Sequence, residues 1–190
     1  MHWRFLREFV RNPKRIGAVA PSSAGLSREI VSDVGLSFAS VVVEYGPGTG
    51  AFTSEILARI GPEARLVAIE SNRQFAAAFR RRFPEVLLVE DSVENAPDIL
   101  RSCGLGEADC VISGLPWAAF DPQLQDRLLA ATLSVLPKGG RFATFAYLQG
   151  LLLRSGKRFR AKLNDCFAEV RQSPIVWRNL PPAFVYRCTR

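Results

Sequence analysis

The stretch Val41 to Gly50 reads V-V-V-E-Y-G-P-G-T-G, and it decides the fold of this chain. Three β-branched apolar residues in a row predict a short strand that is buried on both faces. The strand ends at Glu44-Tyr45, and a loop with three glycines follows. Apolar residues then recur at helical spacing from Phe52 to Ile60. This order of strand, glycine turn and helix is typical of a ligand-binding loop, because glycine admits close backbone approach and a helix start offers free N–H groups.

A second acidic residue, Glu70, follows the glycine loop, and its spacing from the loop indicates a role in ligand binding. It lies 20 residues after Gly50, at the end of a predicted strand over residues 66–69. A carboxylate at this spacing can accept hydrogen bonds from both ribose hydroxyls of a bound nucleoside. The alternative is an ordinary α/β turn with a structural carboxylate.

The spacing of the glycines indicates which nucleoside. Dinucleotide-binding folds use G-x-G-x-x-G and place a pyrophosphate on the helix. Here the loop is G-P-G-T-G after Glu44, whose carboxylate would repel a pyrophosphate but suits a cationic amino-acid group. The pattern resembles that of the S-adenosylmethionine-dependent methyltransferases, whose cofactor carries an ammonium and a sulfonium. The resemblance implies that S-adenosylmethionine is held by Glu44, Gly46, Pro47, Gly48, Thr49, Gly50, Glu70 and Ser71.

Strand and helix patterns alternate along the rest of the chain. Further strands are predicted over residues 86–89, 109–112, 141–146, 167–171 and 183–188, the last two as a hairpin. This alternation predicts an α/β fold: a doubly wound, mostly parallel, seven-stranded Rossmann-like sheet with a C-terminal antiparallel hairpin. Ligands of such sheets bind at the carboxyl ends of the strands. Five polar or glycine positions fall at those ends: Gly46, Glu70, Asp91, Ser113 and Tyr147.

Composition narrows the class of protein. A chain of 190 residues suits a single domain over 1–190 with a sizeable core. The four cysteines show no C-x-x-C spacing and the single histidine is His2, so no metal site is expected. No uncharged apolar run reaches the roughly 20 residues of a membrane span. We therefore expect a cytoplasmic protein.

The net charge of +7 is unevenly distributed. Residues 1–28 carry six basic and one acidic residue, residues 151–190 carry nine and two, and the segment between them is acidic. Trp3 to Arg11 reads as a short amphipathic helix, with aromatic residues opposite arginines. Such a helix either lies in a membrane interface or packs on the core. Basic termini predict an anionic partner, either a membrane surface or nucleic acid.

Two further loops follow predicted strands. Asp91-Ser92 either accepts hydrogen bonds from the adenine amino group or caps a helix. Ser113 opens S-G-L-P-W, where amino-methylating enzymes carry Asn in the motif N-P-P-Y or N-L-P-Y. Ser113 is assigned to the cofactor site, and Leu115, Pro116 and Trp117 to the substrate site. Trp117 either stacks on a base, holds an alkylammonium by cation–π attraction, or is a core residue.

Four motifs together extend a resemblance over nearly the whole chain. They are I-G-A-V-A-P-S-S at 16–23, E-Y-G-P-G-T-G at 44–50, S-G-L-P at 113–116 and V-W-R-N-L-P-P-A-F-V-Y-R at 176–187. They resemble the small soluble bacterial phospholipid N-methyltransferases, which methylate phosphatidylethanolamine and bind membranes peripherally. The resemblance implies a phospholipid substrate and a location at the inner face of the membrane. The alternative is an enzyme like the related rRNA adenine N-methyltransferases, which keep Asn where Ser113 stands.

The expected reaction is attack of a neutral amine on the sulfonium methyl group. With no histidine in reach, Tyr147 is the candidate for orienting the amine, and it is the one catalytic assignment. Arg178 offers a guanidinium fork for a head-group phosphate, so it joins the substrate-binding residues. Five cations between Arg154 and Lys162 would meet phosphates in a lipid enzyme, or form a solvated helix face.

Overall fold

The computed structural model describes residues 22–190. The predicted N-terminal helix at about 3–11 and most of the 16–23 motif therefore lie outside the described residues. The helices are α1 (Ala24–Ile30), α2 (Thr53–Leu57), α3 (Arg73–Arg82), α4 (Ala96–Ser102), α5 (Pro122–Val135) and α6 (Arg154–Cys166). The strands are β1 (Val41–Tyr45), β2 (Arg65–Ile69), β3 (Leu87–Val89), β4 (Cys110–Ser113), β5 (Arg141–Tyr147), β6 (Glu169–Gln172) and β7 (Ala183–Thr189).

These strands form one seven-stranded sheet in the order β3-β2-β1-β4-β5-β7-β6. The first five strands are parallel, β7 runs antiparallel to β5, and β6 runs antiparallel to β7. The predicted fold class and the C-terminal antiparallel hairpin are confirmed. The strand order reverses between β1 and β4, and the crevice at such a switch point is where doubly wound sheets bind ligands.

Helices cover both faces of the sheet, and β1 shows why its sequence is apolar throughout. Val42 packs with α1, α2 and α3 on one face, whereas Val43 packs with α4, α5 and α6 on the other. Both side chains are fully buried. A strand in the middle of a two-sided sheet reads as a continuous apolar run.

Element boundaries differ from the predictions in small ways that have local causes. The helix after the glycine loop is a short one, Thr53–Leu57, and not an element reaching Ile60. Phe167 was expected in a strand, but it ends α6 and stacks on Phe142 at 5.5 Å between ring centroids. Helix α4 was not predicted, because its seven residues contain Pro97 and are too few to show a periodicity.

The last strand ties both ends of the described chain together. Arg187 of β7 donates hydrogen bonds to the carbonyls of Ser32 and Glu29 and forms an ion pair with the Glu29 carboxylate at 2.6 Å. Most of the Arg187 side chain is buried, so this pair is shielded from screening by salt. Within residues 22–190, no helix is both long and apolar enough to cross a bilayer.

Candidate active site

The loops that follow β1, β2 and β4 are held together by backbone hydrogen bonds that extend the sheet. Gly46 N–H donates to the Ile69 carbonyl at 2.9 Å, and Gly114 N–H donates to the Tyr45 carbonyl at 2.8 Å. These bonds fix the glycine loop between its two neighbouring strands. The carboxyl edge of the sheet is therefore a rigid platform for a site.

Two glycines of the loop occupy positions that no larger residue could fill. Gly46 has φ of +62°, and a Cβ there would lie 2.7 Å from a methyl carbon of Leu115. Gly50 has φ of +81°, and a Cβ there would overlap the ring of Phe83 at the end of α3. The sequence predicted glycine for ligand approach, and the structure adds a packing reason from residues far along the chain.

The other two predicted loop residues act through their backbone. The Pro47 carbonyl accepts from Gly50 N–H at 2.8 Å, and the Thr49 carbonyl accepts from the Arg82 guanidinium at 2.8 Å. Arg82 thereby fastens the loop to α3. This contact could not be predicted from sequence, since Arg82 is one of three consecutive arginines.

Glu70 lies in the wall of a cleft beside this loop. Its two carboxylate oxygens accept hydrogen bonds from Gly48 N–H at 3.1 Å and Asn72 N–H at 2.8 Å, so the side chain is aimed at the glycine loop. Burial raises the pKa of Glu70, and the backbone hydrogen bonds oppose that rise. The cavity here has a volume of about 170 Å³ and is bounded by the following residues: Gly46, Gly48, Ile69, Glu70, Ser71, Asn72, Phe75, Asp91, Val93, Gly114, Leu115 and Pro116.

Glu44 lies deeper than the cleft wall. Its side chain is fully buried, and one oxygen accepts a hydrogen bond from Thr53 Oγ1 of α2 at 2.7 Å. The other oxygen has no hydrogen-bond partner among residues 22–190. Burial raises the pKa of Glu44 from 4.5 to about 8, with the nearby Glu70 carboxylate adding to the rise. The Glu44 carboxyl group therefore holds its proton more tightly than an exposed glutamate does.

Asp91 and Ser92 resolve into two different roles. Asp91 lies in the cleft wall, where its carboxylate accepts from Ser92 N–H at 2.6 Å and from the Asn95 amide at 2.9 Å. The hydroxyl of Ser92 caps the short 3₁₀ turn over residues 93–95 by accepting from Glu94 N–H. Of the two interpretations of this pair, Ser92 takes the capping role and Asp91 faces the cleft.

Ser113 does not present its hydroxyl to a ligand. The residue is fully buried, and its Oγ accepts a hydrogen bond from the indole Nε1 of Trp117 at 2.9 Å. It also accepts from Leu115 N–H at 3.3 Å, which shapes the turn that follows β4. The structure therefore corrects the assignment of the Ser113 side chain to the cofactor site: it supports the turn from behind.

Trp117 also differs from the expectation of an open aromatic surface. Its side chain is 1% exposed, and Phe159 of α6 stacks on the ring at 5.3 Å between centroids. Phe142 meets it edge-on at 5.7 Å. With its ring covered and its N–H bonded to Ser113, Trp117 is a core residue, which corrects the idea that it stacks on a base or an alkylammonium.

A second cavity adjoins the first at Pro116, which lines both. Its volume is about 240 Å³, and its walls contain no charged side chain. Tyr147 at the end of β5 lines it, with Phe145 in edge contact at 5.5 Å. Burial raises the pKa of Tyr147, so the phenol keeps its proton at neutral pH. The rest of the wall is formed by Trp117, Ala118, Ala119, Phe145, Ala146, Gln149, Gly150, Leu151, Leu153, Ser155, Gly156, Phe159, Phe184 and Tyr186.

Arg178 lies on the exposed loop between β6 and β7, and it does not line either cavity. The neighbouring Asn179 is 4% exposed and was missed by the sequence reasoning. Its amide oxygen accepts from Ser23 N–H at 3.0 Å and its amide nitrogen donates to the Pro181 carbonyl at 2.7 Å. Asn179 thus joins the loop to the start of α1, across 156 positions of sequence. Only a tertiary contact could reveal that role.

The described residues contain no group of three or more side chains suited to hold a metal ion. The four cysteines are free thiols. The arrangement at the carboxyl edge is therefore a cleft with carboxylates and glycines that adjoins an uncharged aromatic cavity.

Comparison with known proteins identifies a methyltransferase family and methyltransferase relatives. The sequence matches the family described as "Methyltransferase domain" over residues 42–140. It is 35% identical to the ornithine lipid N-methyltransferase of Singulisphaera acidiphila, over 97% of this chain and 93% of that protein. It is 32% identical to ribosomal RNA small subunit methyltransferase A of Thermotoga petrophila, over 64% of this chain and 45% of that protein.

A solved structure shares the fold. The O-methyltransferase TomG of Streptomyces achromogenes, determined in complex with SAM, aligns with a TM-score of 0.65 at 16% identity. The alignment covers 99% of this chain and 89% of that one. At this level of identity the likeness concerns the fold and not the substrate.

Proposed function

Because this chain belongs to the S-adenosylmethionine-dependent methyltransferases, we propose that it methylates the amino head group of a polar lipid at the membrane surface. The acceptor is a phospholipid such as phosphatidylethanolamine, or a lipid with an amino-acid head group like that named for the Singulisphaera relative. The observation that carries this proposal is the uncharged aromatic cavity, which meets the cofactor cleft at Pro116.

The cleft fits the cofactor on the chain's own geometry. A Cβ at Gly46 would meet Leu115 at 2.7 Å, so this turn keeps backbone exposed at the cleft wall. Glu70 holds a carboxylate at that wall, where it can accept hydrogen bonds from ribose hydroxyls. Asp91 and Ser71 complete the polar rim of the cleft. When bound, S-adenosylmethionine supplies an electrophilic methyl group on a sulfonium.

The second cavity would prepare the acceptor amine. A primary amine must lose its proton before it can act as a nucleophile, and an uncharged wall disfavours the ammonium form. The Tyr147 hydroxyl and the backbone around Leu115 and Pro116 are the groups to which we assign the orientation of the nitrogen toward the cofactor cleft. Because the pKa of Tyr147 is raised, the phenol orients the amine and does not take its proton. The proton would leave with water at the cavity mouth.

An RNA acceptor is the second candidate, and the similarity to the Thermotoga enzyme favours it. Two observations count against it. Ser113 is turned into the core, so no side chain at this position reads the exocyclic amine of a base. Trp117, which could have stacked on a base, is covered by Phe159.

For a lipid acceptor, the proposed location is the cytoplasm, where the protein would bind peripherally to the inner face of the membrane.

The test is a transfer assay with labelled S-adenosylmethionine and three acceptor pools. One pool contains phosphatidylethanolamine vesicles, the second contains ornithine-lipid vesicles, and the third contains ribosomal RNA. Label in either lipid pool and none in RNA supports the proposal and names the head group. Label in RNA alone would replace it with the second candidate.

A matched pair of tyrosines tests the orienting role. Tyr147→Phe should lower kcat by about tenfold with cofactor affinity unchanged, because one hydrogen bond to the amine is lost. Tyr186→Phe is the control, since its hydroxyl belongs to the same cavity wall but stands on β7. Equal kcat for the two variants would remove Tyr147 from the mechanism.

A further inference from the structure

The exposed large apolar side chains of residues 22–190 are concentrated at one edge of the molecule. Six are exposed: Phe38, Leu87, Leu152, Leu153, Trp177 and Leu180. The last four stand on two loops, the turn after β5 and the loop between β6 and β7. Their exposed fractions are 82% for Leu152, 54% for Leu153, 66% for Trp177 and 76% for Leu180. A cluster of exposed apolar side chains on a soluble surface marks an interaction site.

The two loops are neighbours in the structure. Tyr147 pairs with Ala183 in the sheet, and Leu148 N–H donates to the Pro182 carbonyl at 2.8 Å. Each loop is thus tethered where it leaves the sheet, and both lie at the carboxyl edge of β5. Leu153 also lines the uncharged cavity, so this group of exposed side chains reaches the cavity wall.

The same surface is cationic. Arg154, Lys157 and Arg158 follow Leu153 directly on the first turns of α6, and Arg178 stands between Trp177 and Leu180. All four cations are exposed, and neither residues 148–164 nor residues 173–182 contain Asp or Glu. Exposed apolar side chains with cations and no anions in the same two segments suit a partner whose interior is apolar and whose surface is anionic. A bilayer that contains acidic lipids has both properties.

Helix α6 supplies an independent reason. Cations in the first turn of a helix oppose its dipole, and anions there stabilise it. Helix α6 has no acidic residue in its first turn and no side-chain cap at Leu153. Its start therefore has no side-chain partner for its N–H groups and carries Arg154 and Lys157, an arrangement that an anionic head group would relieve.

We infer that Leu152, Leu153, Trp177 and Leu180, with Arg154, Lys157, Arg158 and Arg178, form a docking face that inserts into an anionic bilayer. The inference deepens the proposed function and rests on it. The docking face is separate from the N-terminal segment predicted to bind membranes. It places the mouth of the uncharged cavity against the lipid, so that an acceptor would enter from the bilayer without crossing water.

Vesicle sedimentation tests the docking face in the full chain. Vesicles contain phosphatidylcholine with phosphatidylglycerol. Trp177→Ser/Leu180→Ser and Leu152→Ser/Leu153→Ser should each weaken binding at least about tenfold, because apolar side chains no longer enter the bilayer. Phe38→Ser is the matched control, since Phe38 is 91% exposed but precedes β1 at the opposite edge. Unchanged binding by both double variants, or an equal loss with Phe38→Ser, would overturn the inference.

Tryptophan fluorescence gives a second readout that does not depend on a loss of function. In Trp3→Phe protein the remaining indoles are the buried Trp117 and the exposed Trp177. Vesicles with brominated acyl chains should quench Trp177 emission, and Trp177→Phe should abolish the quenching. Protein that sediments with these vesicles without quenching would show that the docking face stays outside the bilayer, which overturns the inference.

The outcomes separate the docking face from the acceptor. The variant Trp177→Ser/Leu180→Ser, whose two residues line neither cavity, should keep cofactor affinity by calorimetry, and should keep transfer to a short-chain lipid amine below its critical micelle concentration. Vesicle binding that depends on the docking face, combined with label transfer to RNA alone, would sink the proposed function while the docking face stands. Lipid transfer by double variants that bind vesicles normally would do the reverse.

Discussion

The two cavities at the carboxyl edge share Pro116 and differ in almost everything else. The cofactor cleft is built from short loops with glycines and the carboxylates of Glu70 and Asp91. The neighbouring cavity has aromatic and small apolar walls without a charge. In the proposed function the two cavities serve opposite electrostatic needs. The cationic cofactor would lie beside carboxylates, whereas the amine, which must be neutral, would lie where the wall carries no charge.

The glycine loop should be the most sensitive part of this edge. Gly50→Ala combines a left-handed backbone with overlap on Phe83, at a cost of about 2–5 kcal/mol. The loop would have to move, so cofactor affinity should fall by about a hundredfold or more by calorimetry. Gly139→Ala is the control, because Gly139 has φ of +83° with open space around a Cβ and lies far along the chain from the cleft. Similar affinities for the two variants would show that the loop packing does not matter.

Glu44, which lies below the cleft, should make the unfolding free energy of the protein depend on pH. The uncharged cavity contains no carboxyl group that would do the same. The folded protein holds the Glu44 proton up to about pH 8, whereas the unfolded chain loses it near 4.5. The native state therefore binds more protons in this window, and the free energy of unfolding should fall as pH rises, by roughly a few kcal/mol. Glu44→Gln should flatten the slope in denaturant titrations across this window. Some slope should remain, because burial raises the pKa of Glu70 as well. A slope identical to that of the wild type would exclude a titrating Glu44.

Glu70 should have its main effect on cofactor binding. Glu70→Ala removes a charged acceptor for ribose hydroxyls, each such bond being worth about 1.5–3 kcal/mol, so cofactor affinity should fall at least about tenfold. Glu90→Ala is the control, because Glu90 follows β3 at the same edge but pairs with Arg73 and Arg80 at the surface. If calorimetry finds that both variants bind the cofactor as tightly as the wild type does, Glu70 does not contribute to cofactor binding.

The smallest effect is expected behind the uncharged cavity. Ser113→Ala leaves the Trp117 N–H unpaired in the core, at a cost on the order of 1 kcal/mol of unfolding free energy. Cofactor affinity should not change, since the hydroxyl points away from the cleft. The double variant Ser113→Ala/Trp117→Phe removes donor and acceptor together. Its loss should be smaller than the sum of the single losses. Strict additivity would show that the two side chains do not interact.

The sequence predicted the residues of the cofactor cleft better than those of the uncharged cavity. Gly46, Gly50 and Glu70 lie in contiguous motifs right after strands, so a local pattern sufficed to place them at one edge. The strands themselves were predicted to within about two residues, because most of them contain an apolar run bounded by turn residues. The capping role of Ser92 was one of two interpretations that the sequence had left open.

The uncharged cavity could not be predicted in this way. Its walls come from the turn after β4, from β5, α6 and β7, and from the turn between β5 and α6, and no local pattern joins these segments. Whether Trp117 faced a ligand or the core depended on Phe159, which lies 42 positions away on another helix. Asn179 and Ser23 meet only in the folded chain. Side-chain orientation in short turns carries no periodicity that would reveal it.

The position of β7 in the sheet has a consequence for folding during synthesis on the ribosome. Strand β7 is the last along the sequence, yet it lies between β5 and β6, and β6 is bonded to the sheet through β7. During translation, the glycine loop and Glu70 emerge long before Phe184 and Tyr186, and chains begin to fold from the N-terminal side. Until β7 arrives, β5 is an unpaired strand edge, which is prone to associate with other chains. The residues of the cofactor cleft, the last of which is Pro116, are thus synthesised before those that complete the uncharged cavity.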